Sequence, residues 1–150
     1  MRIAFFALLL SLAVNAANAL TKQERREFLD AIRPIAAMKA GQPIRFKVLN
    51  LNIDSGWAVL FGELVGEEGK AIDWRKAKGC DENLDRLLWV VAQKQGQGWR
   101  VKEMSVCSPE PPHWSLNPEA AYSLPCGIYA GLNITAATTA EDECRAHQTK

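Results

Sequence analysis

Hydrophobic residues follow three rhythms along this chain. Behind Met1 and Arg2, residues 3–14 form an apolar run, closed by Asn15-Ala16-Ala17-Asn18-Ala19. Phe28, Leu29, Ile32, Ile35 and Ala36 then recur at helical spacing, a single apolar stripe with Lys22, Arg25, Arg26 and Glu27 mostly turned away. Thr21 followed by Glu24 makes a capping box, in which hydroxyl and carboxylate satisfy N–H groups left open at a helix start, so a helix begins there. Gly41 and Pro43 end it. Pro34 falls inside the stripe, where its ring crowds a preceding carbonyl and a hydrogen bond is lost; a kink or a restart is expected at that point.

From residue 44 the alternation shortens to every second position. Ile44, Phe46 and Val48 share one face with Arg45 and Lys47 opposite, and Leu49, Leu51 and Ile53 continue on a shifted register, which predicts a β-bulge near Val48 and Leu49. Asp54-Ser55-Gly56 supplies a turn, and residues 57–65 return as the second strand of an antiparallel hairpin. Glu67-Glu68-Gly69 turns the chain again, and a short extended piece is expected over residues 71–74 before a loop carrying Cys80. Leu87-Leu88-Trp89-Val90-Val91 is apolar on both faces and reads as a strand covered on both sides. Gln95-Gly96-Gln97-Gly98 leads into its partner over residues 99–107. Two hairpins behind one helix predict an α+β domain: an N-terminal helix packed on a curved antiparallel sheet of about four strands, a cystatin-like or NTF2-like half-cone, with an irregular disulfide-stapled C-terminal tail. Such a fold does not by itself assign an activity.

Past Cys107 the prolines take over. Ser108-Pro109-Glu110-Pro111-Pro112-His113-Trp114 is excluded from a central strand because proline offers no N–H to a ladder, and it reads as a stiff surface excursion. Asn117 is placed to cap a short helix with Pro118 at its first position, Leu124-Pro125 stops it, and residues 138–147 suit one or two further helical turns. There is no internal repeat and no sign of a second domain. Residues 20–150 are read as one domain, with its core at about 21–107 and the Pro-rich loop and tail at 108–150.

The opening apolar run has a different meaning. A charged start, a short greasy centre and an A-x-A end are the layout of a secretory signal, with cleavage between Ala19 and Leu20. A spanning helix needs about 20 apolar residues, and Asn15 and Asn18 interrupt this run first, so no stable membrane span is expected after cleavage. No cysteine follows the cleavage point to carry a lipid. The chain has 18 Lys and Arg against 17 Asp and Glu, and loss of Arg2 with the leader makes the mature chain neutral. Neutrality without a basic stripe argues against nucleic acid, whose binding is driven by clustered positive charge. The one basic knot, Arg75-Lys76-Ala77-Lys78, reads as a solvated loop.

Four cysteines, Cys80, Cys107, Cys126 and Cys144, lie in the mature part, and an even number in an exported chain favours pairing. Three connectivities are open; Cys80 with Cys107 and Cys126 with Cys144 is preferred, because the second pair staples a tail that otherwise has little to hold it. Zinc is disfavoured, since there is no C-x-x-C and His113 and His147 are not at ligand spacing. No cofactor is expected.

The candidate binding residues are Pro109, Pro111, Pro112, His113 and Trp114, an exposed aromatic on a rigid loop that would lose little entropy on meeting a partner. The competing reading folds Trp114 back over one end of the sheet. His113 near Glu110, with Ser108 or Ser115, has only proximity to recommend it as a catalytic group; the elbow, zinc-helix and phosphate-loop motifs are all missing. Asp73, Asp81, Glu82 and Asp85 gather in one stretch, but Arg75, Lys76 and Lys78 interrupt the spacing a calcium loop needs. Trp57, Trp89 and Trp99 read as core with Phe46 and Phe61, or else as the lining of a cone that holds an apolar ligand. Asn133-Ile134-Thr135 matches a glycosylation sequon, which a bacterial-type signal makes a coincidence.

Leu29-Asp30-Ala31-Ile32-Arg33-Pro34, Gly41-Gln42-Pro43-Ile44-Arg45-Phe46-Lys47-Val48 and Gly56-Trp57-Ala58 together resemble a group of uncharacterised exported bacterial proteins, in which a D-A-[LI]-R-P helix precedes G-Q-P-[VI]-x-F-x-V and G-W-A strands. Gly98-Trp99-Arg100-Val101 is similar to that group's second hairpin, whereas the later cysteines and the tail are outside the pattern. The resemblance implies export and a helix-plus-sheet fold and transfers no catalytic residue. The function expected is a non-enzymatic periplasmic or secreted protein-binding module, of inhibitor or immunity type, directed at another envelope or secreted protein. The alternative is a small-molecule-binding or enzymatic cone lined by the strand aromatics. Oligomeric state is left open.

Overall fold

The computed structural model describes residues 20–80, 86–108 and 118–150; the expected leader, and with it Ala19 on one side of the expected cleavage point, lies outside the described residues. Helix α1 (Lys22–Ala40) starts at the expected capping box. The Glu24 N–H donates to the Thr21 hydroxyl at 3.1 Å, and the Thr21 N–H donates back to Glu24 Oε2 at 3.0 Å. The helix continues through Pro34 rather than restarting. The missing proline N–H would have met the Asp30 carbonyl, and both residues are on the exposed side, where solvent can replace it. Gly41 ends the helix in the left-handed conformation (φ 66°), and the Gln42 N–H reaches back to the Ala37 carbonyl at 3.3 Å.

Strands β1 (Arg45–Asp54), β2 (Trp57–Val65), β3 (Leu87–Gln95) and β4 (Gly98–Ser108) form an open antiparallel meander in the order β1-β2-β3-β4. Ser55 (φ 48°) and Gly56 (φ 76°) both take positive φ, the mirror-type turn that matches strand twist in a two-residue hairpin. The expected bulge is present: the β1–β2 register slips between Val48 and Asn50, leaving Leu49 out of the ladder and 52% exposed. Gly62 sits opposite Val48 at this slip, where a Cβ would collide with the Lys47 carbonyl.

Both faces of the sheet are covered. On one face, Phe28, Ile32, Ala36 and Ala40 of α1 pack on Leu60, Leu64, Leu88, Val90, Met104 and Val106. Phe28 meets Trp99 edge to face at 5.3 Å, so the start of α1 lies beside the β3–β4 turn. On the other face, Val59, Trp89 and Val91, flanked by half-buried Trp57 and Phe61, are covered by the C-terminal segment. That segment contains the short helix α2 (Pro118–Ala121), a 3-10 turn (Cys126–Tyr129) and helix α3 (Ala140–Gln148). The tail expected from sequence is therefore a complete layer with its own core.

The short extended piece expected over residues 71–74 is extended at Asp73 but joins no sheet. The Gln42 side chain takes the place of a strand partner: its Nε2 donates to the Asp73 carbonyl at 2.8 Å, and its Oε1 accepts from the Asp73 N–H at 3.1 Å. Ile72, Trp74 and Ala77 are thereby held as a plug over one end of the helix-side core.

The disulfides join Cys80 to Cys107 and Cys126 to Cys144, the preferred pairing. The first ties the β2–β3 connection to β4. The second lies within the C-terminal layer and spans 18 residues of sequence. Replacing it through Cys126→Ser with Cys144→Ser should lower unfolding free energy by about 3 kcal/mol, read from urea midpoints at unchanged slope.

Candidate functional site

Both hairpin turns lie at one end of the sheet. At the far end β2 stops and β3 starts, with Glu63 paired to Leu87 and Leu87 to Ser108 at the close of β4. The connection from β2 folds back over this end, pinned by Gly66, whose N–H donates to the Lys70 carbonyl at 2.8 Å. An open-sided cleft of about 310 Å³ results, lined by Glu63, Leu64, Ala71, Ile72, Trp74, Arg86 and Leu87.

Trp74 is fixed from three directions. Gln42 holds Asp73 beside it, the Ala77 N–H donates to its carbonyl at 3.1 Å, and Gly41 lets the α1 terminus approach so closely that a Cβ there would collide with the Lys76 carbonyl. The Arg86 guanidinium stands 5.3 Å from the Trp74 ring centre, a cation–π arrangement. Lys47 Nζ donates to Glu63 Oε2 at 2.9 Å. Outside the cleft wall, Arg75 Nε donates to Asp73 Oδ1 at 2.9 Å, and this hydrogen bond holds the Asp73 carboxyl below its usual range. Among the described residues no hydroxyl, thiol or imidazole lines the cleft. An aromatic ring, a cation stacked on it, a paired carboxylate and short aliphatic walls are the chemistry of side-chain recognition.

A second polar group lies on the C-terminal layer. The Tyr122 hydroxyl donates to Glu143 Oε2 at 2.9 Å, and its ring leans on His147 at 5.7 Å between centres. Burial, aided by the Glu143 charge, pushes the Tyr122 phenol up to about 12. Gln148 Nε2 donates to the carbonyls of Tyr122 and Leu124 at 2.8 and 3.0 Å, so these contacts clamp α3 to the loop after α2. Tyr129, deeper in the same layer, donates to the Ala121 carbonyl at 2.8 Å, and burial raises its phenol as well.

The structure separates the strand tryptophans. Trp99 packs on the α1 side, whereas Trp57 and Trp89 belong to the opposite core, where Trp89 is 1% exposed. These three rings do not line a common cavity. Pro109, Pro111, Pro112, His113 and Trp114 lie outside the described residues, as do Ser115, Asn117, Asp81, Glu82 and Asp85. Their chain neighbours are placed, however: Ser108, from which the Pro-rich segment departs, pairs with the cleft residue Leu87. Asn133 of the sequon is exposed and bridges to Thr139.

Sequence reasoning missed the cleft and a polar junction on β1. After the bulge, Asn50, Asn52 and Asp54 alternate with Leu51 and Ile53 and look like a solvent face. They instead bind the backbone of the C-terminal layer. Asn52 Nδ2 donates to the carbonyls of Ile128 and Ala130 at 3.1 and 2.6 Å, and Asn50 Nδ2 to that of Ala130 at 3.1 Å. The Gly127 N–H donates to Asp54 Oδ2 at 3.1 Å. Among the described residues no three His, Cys, Asp or Glu side chains gather to hold a metal ion, and no helix is long and apolar enough to cross a membrane. No family model, no curated protein and no solved structure matches the chain.

Two measurements follow from these contacts. A Cβ on Gly127 would stand 2.6 Å from Asp54 Oδ2, so Gly127→Ala should destabilise the fold by about 1–3 kcal/mol in urea unfolding, with Asp54→Ala largely masking the effect in the double variant. Tyr122 favours its neutral form in the fold, so its contribution is complete below the ordinary phenol value of about 10 and is lost as pH rises towards about 12. Alkaline difference spectra should show both phenols titrating late, and Tyr122→Phe should remove the earlier of the two while leaving that of Tyr129.

Proposed function

We propose that this chain is an exported, non-enzymatic protein-binding module, of inhibitor or immunity type, that meets another envelope or secreted protein with the far end of its sheet. The observation that carries this reading is the convergence at that end. The Trp74–Arg86 cleft, the Cys80–Cys107 cross-link and the departure point of the Pro-rich segment lie together on a sheet whose two faces are both filled.

Such an end suits a protein partner. A half-open cleft of about 310 Å³ takes one or two side chains, and specific protein interfaces are organised around a few aromatic and arginine anchors set in a wider contact area. A disulfide at the root of the neighbouring chain segments reduces the ordering cost of association. Export is supported by the leader layout, by the two disulfides and by the resemblance of the helix and first hairpin to exported bacterial proteins.

The deciding experiment is affinity recovery of the tagged mature protein from the envelope and medium of its native host, with the variants Trp114→Ala and Arg86→Ala in parallel. A stoichiometric protein partner retained by the parent and lost in both variants, at thermal midpoints within a few degrees of the parent, is the expected result. Recovery of the protein alone after cross-linking would overturn the reading, and a large fall in the midpoint of Trp114→Ala would return that residue to the core.

A further inference from the structure

The two disulfides divide the chain in an informative way. Cys80–Cys107 lies within the unit made of α1 and the sheet, Cys126–Cys144 lies within the C-terminal layer, and no covalent cross-link joins one to the other. The layer's regular elements are too short to persist separately, the longest being the nine-residue α3. They are bound to one another instead: by the disulfide, by the Tyr122–Glu143 contact, by Gln148 on two carbonyls and by the Ala140 N–H on the Leu132 carbonyl at 2.7 Å. The layer holds itself together and is held against the sheet without a covalent cross-link.

That attachment consists of apolar contact with Val59, Trp89 and Val91 and of the polar junction from Asn50, Asn52 and Asp54. It is also where the polar bookkeeping of the fold is incomplete. Asn50 Oδ1 and Trp89 Nε1 are the two buried side-chain polar atoms without a hydrogen-bond partner among the described residues, and both lie on residues that the layer covers or binds. Each raises the free energy of the covered state, because water would satisfy both once the face is open. The α1 face of the sheet has no such defect among the described residues.

We propose that residues 118–150 are a strap that opens from the sheet as one unit while α1 and the sheet stay folded, exposing the apolar face formed by Trp57, Val59, Phe61, Trp89 and Val91. The device is local unfolding of a contiguous unit, the form in which proteins commonly expose a covered surface. It is independent of the binding reading given for the far end of the sheet.

Native-state hydrogen exchange on the full mature chain with both disulfides intact, followed by mass spectrometry at increasing urea below the unfolding transition, tests it. Amides of residues 127–148 should exchange through one shared opening with lower protection than those of α1, β2 and β3. Asn52→Ala removes the two-carbonyl attachment and should raise the population of that opening roughly tenfold or more, leaving α1 and β3 amides unchanged. Equal protection of layer and sheet in the parent protein would overturn the proposal, and so would an Asn52→Ala effect spread evenly over all elements. The comparison within the parent protein stands even if the variant fails to fold.

Discussion

A sheet whose central strands are apolar on both faces has to be covered twice, and the rest of this structure follows from that requirement. β2 and β3 bury Leu60, Leu88 and Val90 on one side and Val59, Trp89 and Val91 on the other. Leaving either set in water would forfeit about 1.5–3 kcal/mol for each large side chain. One amphipathic helix supplies one cover. The other has to come from the chain beyond β4, which is why a segment poor in regular structure is nonetheless packed to full burial at Ile128, Ala140 and Cys144.

The two covers are built on different physics. α1 is long, capped at both ends and amphipathic, so it has helical character of its own before it docks. The C-terminal layer has little intrinsic structure and is assembled by a disulfide, by side chains that clamp backbone carbonyls and by the asparagines of an edge strand. The bulge at Leu49 is what makes the second arrangement possible. It reverses the facing of β1 part-way along, so that Phe46 and Val48 before it and Leu51 and Ile53 after it all reach the helix-side core. Asn50, Asn52 and Asp54 then turn to the layer. A single unpaired residue thus gives one strand two successive registers of use, and Gly62 opposite leaves the room it needs.

With both faces occupied, the two ends of the sheet differ in what closes them. The hairpin end is closed by tight turns. The far end gathers the Trp74 plug, the Arg86 stack, the Cys80–Cys107 cross-link and the root of the Pro-rich segment, and Gly41 and Gln42 place the first of these. Gln42 acts there as one residue of a strand that is not present, satisfying both backbone groups of Asp73 and freeing the connection to turn inward.

Local chemistry was enough to write much of this into the sequence. The capping box at Thr21, the stripe of α1, the period-two runs, the bulge, the hairpin turns and the cysteine pairing were all legible, because each depends on residues close in the chain or on a small set of possible partners. The helix does not restart at Pro34, since the cost of that residue depends on whether the deprived carbonyl faces solvent, which only the docked helix determines. The short extended piece expected over residues 71–74 joins no sheet for a similar reason: a glutamine thirty-one residues away satisfies the backbone instead. The polar alternation of Asn50, Asn52 and Asp54 looked like a wet surface because a sequence shows the period of a strand but not what lies above each face. Side-chain type and spacing belong to the chain; which face receives a second layer, and which polar groups meet one another across it, are decided by long-range packing alone.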